Sequence, residues 1–131
     1  MILDTSAIIA SIGRESDCAR YRDTMLAASS MSMLSVAVLE TKIVLQSRYG
    51  LEAVRAFDEM LADTGLLVMS FDEELAKIAF EAFRRYGKGQ GHPAQLNIVD
   101  CAVYALAKLK DEPLLFKGTD FDKTDIRSVL P

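Results

Sequence analysis

Apolar residues fall along this chain in short runs separated by longer stretches of helical periodicity. Met1–Leu3 is a brief apolar run that stops at Asp4, and apolar positions then recur from Ala7 to Ile12 before Gly13. From Glu15 to about Ala28, Tyr21, Met25 and Leu26 stand at helical spacing, which predicts an amphipathic helix. Met31–Leu34 reads as a strand, and Ser35 after it as the N-cap of a long helix to about Tyr49. Gly50 sits where a helix C-cap belongs, and Leu51–Ala62 resumes the helical period through Val54, Phe57 and Leu61. Leu66–Met69 reads as a buried strand. Ser70 and Asp72 then precede a helix over Glu73–Tyr86 whose face carries Leu75, Ile78, Ala79 and Phe83. Three glycines and a proline make Gly87–Pro93 a loop, after which Asn97 can cap a helix to about Leu109. Pro113–Phe116 and Ser128–Leu130 complete the set as strands. Short strands alternating with helices imply parallel pairing and an α/β sandwich.

Composition narrows the picture. The 131 residues are half apolar and suit one domain with a sizeable core. Lys and Arg number 15 against 19 Asp and Glu, giving a net charge of −4, and the pI is near 5.0. Such a surface excludes a protein that holds nucleic acid by broad positive charge, so any contact with nucleic acid runs through a local basic patch or bound metal. Cys18 and Cys101 have neither metal-site nor redox spacing, which points to a reducing compartment. The N-terminus has no basic region and no apolar run approaches membrane-spanning length, so the expected location is the cytoplasm.

The informative chemistry lies in where four acids fall. Asp4 follows the first strand, at the carboxyl end where open α/β sheets bind ligands. Glu40 lies inside the helix predicted after the second strand, among Val36, Val38, Leu39 and Ile43, an apolar setting in which an acid is poorly hydrated. Asp100 occupies the first turn of the helix begun at Asn97, and Asp120 follows the strand Leu114–Phe116. With parallel strands, all four gather near one edge of the sheet. Two carboxylates about 4 Å apart repel by roughly 4 kcal/mol at an effective dielectric of about 20. A cluster therefore calls for a cation or shared protons, and oxygen-only ligands select Mg²⁺ or Mn²⁺ over zinc. Capping and helix-dipole chemistry is the competing account of each Asp taken singly.

Met1-Ile-Leu-Asp-Thr-Ser-Ala at the start, isolated Glu40, Leu96-Asn-Ile-Val-Asp-Cys-Ala-Val-Tyr-Ala-Leu-Ala-Lys108 and Leu114-Leu-Phe-Lys-Gly-Thr-Asp-Phe together resemble the PIN-domain ribonucleases. More narrowly they resemble the VapC toxins of VapBC toxin–antitoxin pairs. The resemblance spans essentially the whole chain, residues 1–131, as a single PIN domain. It implies a three-layer α/β/α sandwich on a short-stranded parallel sheet. It also implies Mg²⁺- or Mn²⁺-dependent endoribonuclease cleavage of tRNA or another structured RNA, which stops translation. A VapB-type antitoxin would neutralise a toxin that forms a homodimer, and heterotetramers or larger assemblies with the antitoxin. Asp4, Glu40 and Asp100 match the family's first three acids. Gly118 stands where many relatives place an acid, so Asp120 and Asp122 both remain open as the fourth.

On this reading Asp4 and Asp100 bind the principal ion, Glu40 orients or deprotonates the attacking water, and Asp120 completes the shell or helps a second ion. Thr5 and Ser6 could hold a water or phosphate beside Asp4, with helix capping as the alternative, and Asn97 could support Asp100 in the same way. Arg84, Arg85, Lys88 and His92 form the best local basic patch; Arg84, Arg85 and Lys88 are the candidate RNA contacts, with helix C-terminal placement as the alternative. His92 lacks partners for zinc, and Cys101 reads as a buried small residue. A phospho-receiver domain would need paired acids after the first strand, where Asp4 stands alone. A dehalogenase-type phosphatase would need a second aspartate at Ser6. A non-catalytic interaction module on the same fold predicts that divalent metal leaves stability unchanged.

Overall fold

The computed structural model describes residues 1–13 and 15–131. Its elements are β1 (Ile2–Leu3), α1 (Thr5–Ile12), α2 (Cys18–Leu26), β2 (Ser32–Leu34), α3 (Ser35–Tyr49), α4 (Leu51–Asp63), β3 (Leu67–Met69), α5 (Glu73–Tyr86), α6 (Ile98–Lys110) and β4 (Leu114–Leu115). All strand pairs are parallel and the order across the sheet is β3-β2-β1-β4. The helices sandwich this short sheet in the expected α/β/α arrangement.

That order positions the site. The chain moves outward from β1 to β2 to β3, then returns past β1 to lay down β4 on its other side. The direction reverses at β1, and open α/β sheets place their ligand crevice outside the carboxyl end of such a switch point. Asp4 is the residue that leaves β1 there. Its own N–H donates to the Leu115 carbonyl at 3.0 Å, so it stands beside the end of β4 as well.

The core forms where β1, β2 and β4 meet α6. Ile2, Leu3, Met33, Leu34, Leu114 and Leu115 are fully buried, and α6 is buried from Asp100 through Ala107. A helix buried on nearly every side needs the all-round apolar run Val99–Leu106, interrupted only by Asp100 and Tyr104. Gly50 ends α3 at φ 87°, a left-handed backbone that favours glycine, and its N–H reaches the Leu45 and Gln46 carbonyls. Among the described residues no helix is long and apolar enough to cross a membrane.

Several local expectations change. The second helix begins at Cys18 rather than Glu15, and Asp17 makes no capping bond because its carboxylate pairs with Lys117 at 3.0 Å. Ser35 is the first residue of α3, not its cap: β2 runs straight into the helix, and fully buried Leu34 takes the cap position without a side-chain bond. The strand at Leu67–Met69 is an exposed edge, with Leu67 57% and Val68 49% accessible, because the sheet order leaves nothing beyond β3. Ser128 makes a single parallel bridge to Leu114 instead of a strand. Of the apolar helix positions, Leu45 and Phe57 enter the core, Val54 is half-buried and Ile43 faces solvent.

Candidate active site

Asp4 leaves β1 in extended backbone and caps α1. Its Oδ2 accepts the Ser6 backbone N–H at 3.0 Å and the Ser6 hydroxyl at 2.5 Å. The Ser6 hydroxyl oxygen in turn accepts the Lys117 backbone N–H at 2.9 Å, so the turn after β4 is tied to the Asp4 carboxylate through one serine. The second carboxylate oxygen is different. Asp4 Oδ1 is buried and has no hydrogen-bond partner among the described residues, in a residue only 5% exposed.

The Thr5 hydroxyl bonds away from this carboxylate. It donates to the Ala37 carbonyl at 3.2 Å and accepts from the Thr41 hydroxyl at 3.2 Å, clamping α1 to α3. Capping therefore falls to Asp4, while Thr5 fixes the helix that carries Glu40. Asn97 and Asp100 form a reciprocal capping box at the start of α6: Asp100 N–H donates to Asn97 Oδ1 at 2.8 Å, and Asn97 N–H donates to Asp100 Oδ2 at 3.0 Å. Asn97 thus caps and orients Asp100 at once, and the two expectations for it merge.

Asp4, Glu40, Asp100 and Asp120 line one cleft of about 280 Å³, together with Ser6, Glu15, Arg48 and Lys117. Asp122 is exposed and outside the cleft, so of the two open positions it is Asp120 that the fold brings in. Gly118, at φ 109°, turns the chain between Lys117 and Asp120 through a conformation that an acidic side chain would adopt only with strain. Among the described residues no three of the acids close into a ready-made ion cage; they line the cleft's walls.

The acids nonetheless feel one another. Burial pushes the Asp4 carboxyl above its usual range, against the bonds from Ser6, and Glu40 adds to the rise. Asp100 is pushed up to about 7, first by burial and then by the negative charges of Asp4, Asp120 and Glu40, against the Asn97 N–H that lowers it. Mutual repulsion and poor hydration at one point is the condition that a hard cation relieves.

The basic patch lies elsewhere. Arg84 and Arg85 line a second cleft, of about 500 Å³, with Tyr104 and Lys108. Arg84 pairs with Glu81 at 3.3 Å, and the Arg85 guanidinium stacks 4.8 Å from the Tyr86 ring centre. Lys88 is exposed on the loop and lines neither cleft. His92 accepts the Ala94 N–H at its Nδ1 and packs edge-on against Tyr86, a structural role. Burial pushes the Cys101 thiol up to about 11, with Asp100 adding to it, so no thiolate is poised there. Sequence reading passed over Glu15 and Arg48. Arg48 follows Glu40 by eight residues through Val44, a stripe at i, i+4 and i+8 that the helical period makes available.

Comparison with known proteins supplies the family. The PIN-domain family model matches residues 1–127. Ribonuclease VapC28 of Mycobacterium tuberculosis is 42% identical over 130 residues, covering 99% of this chain and 98% of that one. Among solved structures, Mycobacterium tuberculosis VapC20, described as a sarcin-ricin-loop-cleaving toxin, superposes with a TM-score of 0.84 at 19% identity, over 99% of this chain and 98% of its own. A toxin–antitoxin complex from Klebsiella pneumoniae gives 0.68 at 12% identity, over 90% and 86%. The family match and the sequence identity together assign the chain to the PIN-domain family, among the VapC ribonucleases.

Proposed function

We propose that this chain is the toxin of a type II toxin–antitoxin pair: a single PIN domain over residues 1–131 that acts in the cytoplasm as an Mg²⁺-dependent endoribonuclease, with Mn²⁺ able to substitute. The observation that carries this reading is the unpartnered, buried Oδ1 of Asp4, a residue that lines one cleft with Glu40, Asp100 and Asp120. A buried acceptor with no donor costs about 1–3 kcal/mol, and fold stability alone gives no reason to keep one. An all-oxygen donor set fits a hard divalent ion. Asp4 and Asp100 would hold it, with Glu40 and Asp120 completing the set. Bound there, the ion would neutralise phosphodiester oxygens and acidify water.

The chain's own residues do the rest. Ser6 holds Asp4 through Oδ2, leaving Oδ1 without a protein donor, and the capping box fixes Asp100 through its Oδ2. Glu40, on the α3 wall, orients the attacking water in line with the leaving 3′ oxygen and accepts its proton. The substrate is tRNA or another structured RNA, and Arg84, Arg85 and Lys88 hold RNA flanking the cut. A VapB-type antitoxin inhibits a homodimer and builds heterotetramers or larger assemblies with it; that a structural neighbour was solved as a toxin–antitoxin complex supports the antitoxin partner.

Purified protein incubated with total bacterial RNA and Mg²⁺ tests the reading, with fragment 5′ ends sequenced. Defined cuts are expected from wild type and none from D4N or D100N. Equal cutting by all three would assign the activity to a contaminant and overturn the proposal.

A further inference from the structure

The acid cleft has cations on its wall as well as acids, and the two that line it are not equivalent. Lys117 is engaged: its ammonium bonds Glu15, and Asp17 at 3.0 Å, which straps the turn after β4 to the segment before α2. Arg48 is exposed and, among the described residues, has no carboxylate partner. It stands on the same α3 stripe as Glu40 and Val44, both of which line the cleft. An RNA strand entering so acidic a cleft meets repulsion everywhere except at a bound ion and at an uncommitted cation.

Placement sets which phosphate Arg48 can reach. Eight residues of helix put it about 12 Å beyond Glu40 along the α3 axis, a separation that suits a neighbouring phosphate rather than the one being cut. Its planar fork suits two phosphate oxygens at once. Arg48 also lies in the last turn of α3, where any cation complements the helix dipole. That role accounts for a positive charge at the helix end but not for its opening onto the acid cleft.

We infer that Arg48 is the substrate-positioning residue of this cleft, gripping an RNA backbone phosphate beside the scissile one so that the strand crosses the acids in one register. The inference rests on the nuclease reading above. Its test compares wild type with R48A, R48E and R48K. Binding of a short fluorescein-labelled single-stranded RNA is followed by anisotropy across a salt series, with Ca²⁺ as the divalent ion so that binding is read apart from cleavage. R48A should weaken binding about 5- to 10-fold and flatten the log–log salt slope by about 0.7. R48E should bind more weakly still, and R48K should recover part of the loss. Against bulk tRNA with Mn²⁺, R48A should raise KM while kcat stays within about two-fold, and Mn²⁺ should raise the melting temperature of R48A as it does that of wild type.

Wild-type affinity and salt slope in R48A overturn the inference, as does a loss of thermal stability with RNA binding intact, which is the helix-dipole role. Loss of the Mn²⁺ shift in R48A also overturns it, since Arg48 would then act on the acids rather than on RNA. If instead wild type neither cleaves RNA nor responds to Mn²⁺, the nuclease reading fails and takes the inference with it, whereas a wild type that cleaves beside an R48A of unchanged salt slope overturns the inference alone.

Discussion

Two acids at opposite ends of the same sheet have been given opposite surroundings. At the amino end, Glu112 precedes β4 and accepts a hydrogen bond from the Met1 ammonium at 2.9 Å, with the Lys110 ammonium 3.3 Å from its other oxygen. That second oxygen lacks a well-aligned hydrogen bond but not a counter-charge. The Met1 bond, with Lys110 adding to it, holds the Glu112 carboxyl below its usual range. At the carboxyl end, Asp4 caps a helix with one oxygen and leaves the other buried without a partner. Burial raises the carboxyls of Asp4 and Asp100. Where the fold supplies its own cations, an acid is a structural fastening. Where it gathers acids and ties Lys117 to Glu15 and Asp17, the negative potential of Asp4 and Asp100 is kept for something that comes from outside.

The largest consequence concerns activity. D4N and D100N should each lower RNA cleavage by at least about 10²–10³-fold, the scale on which removing one transition-state-stabilising group acts, while E112Q stays within about two-fold of wild type. Initial rates on total RNA give the comparison, and a comparable loss in E112Q would dissolve the distinction between the two ends.

Next comes the response to metal. At about a hundred times its Kd, Mn²⁺ should stabilise wild type by roughly 2.7 kcal/mol. Denaturant titration with and without the ion should find that gain intact in E112Q and absent in D4N, which keeps its cap because an amide oxygen also accepts the Ser6 bonds.

The cleft side of this contrast was legible along the chain because it depends on positions at element ends. Asp4 and Asp100 follow a strand and open a helix, and their capping bonds are the local chemistry that such positions invite. What stayed hidden depends on rotation and docking of whole elements. Nothing along α3 says which side faces the cleft, since Leu39 and Ile43 are apolar yet exposed while Glu40, Val44 and Arg48 turn inward to the site. Arg84 and Arg85 read as one basic patch with Lys88 and His92, but packing of α5 on α6 carries them to a separate cleft with Tyr104 and Lys108. The edge position of β3 follows from strand order, which apolar runs alone do not encode.

The third consequence is a pH dependence of the chelated protein. Asp100 titrates near 7 when folded against 3.8 for an ordinary aspartate, so the folded state holds the proton more tightly than the unfolded one. The favourable contribution is then complete below about pH 4 and is lost as pH rises toward and through 7. With EDTA present, wild type should lose stability between about pH 4 and 7. D100N should flatten that slope and exceed wild type at pH 8 by about 2 kcal/mol, since it removes a poorly hydrated charge. A chelated D100N no more stable than wild type at pH 8 would mean that the cleft hydrates its acids well enough to need no ion.

The smallest effect has the opposite sign and belongs to the amino end. The lowered carboxyl of Glu112 contributes stability that is present above the ordinary glutamate value of 4.5 and disappears as pH falls through its folded value. The Glu112 side chain is 26% exposed and partly screened, so E112Q should cost no more than about 1 kcal/mol at pH 7. That cost should vanish in acid, where wild type carries a neutral carboxyl too, and divalent ion should not change it. Chemical denaturation at both pH values, with and without EDTA, separates the two ends cleanly. An acid fastened by the chain's own cations responds to protons alone, whereas the acids of the cleft respond to protons and metal in competition. If E112Q altered the Mn²⁺ gain, the two ends would be coupled through β1 and β4, and the cleft's electrostatics would have to be treated as a property of the whole sheet.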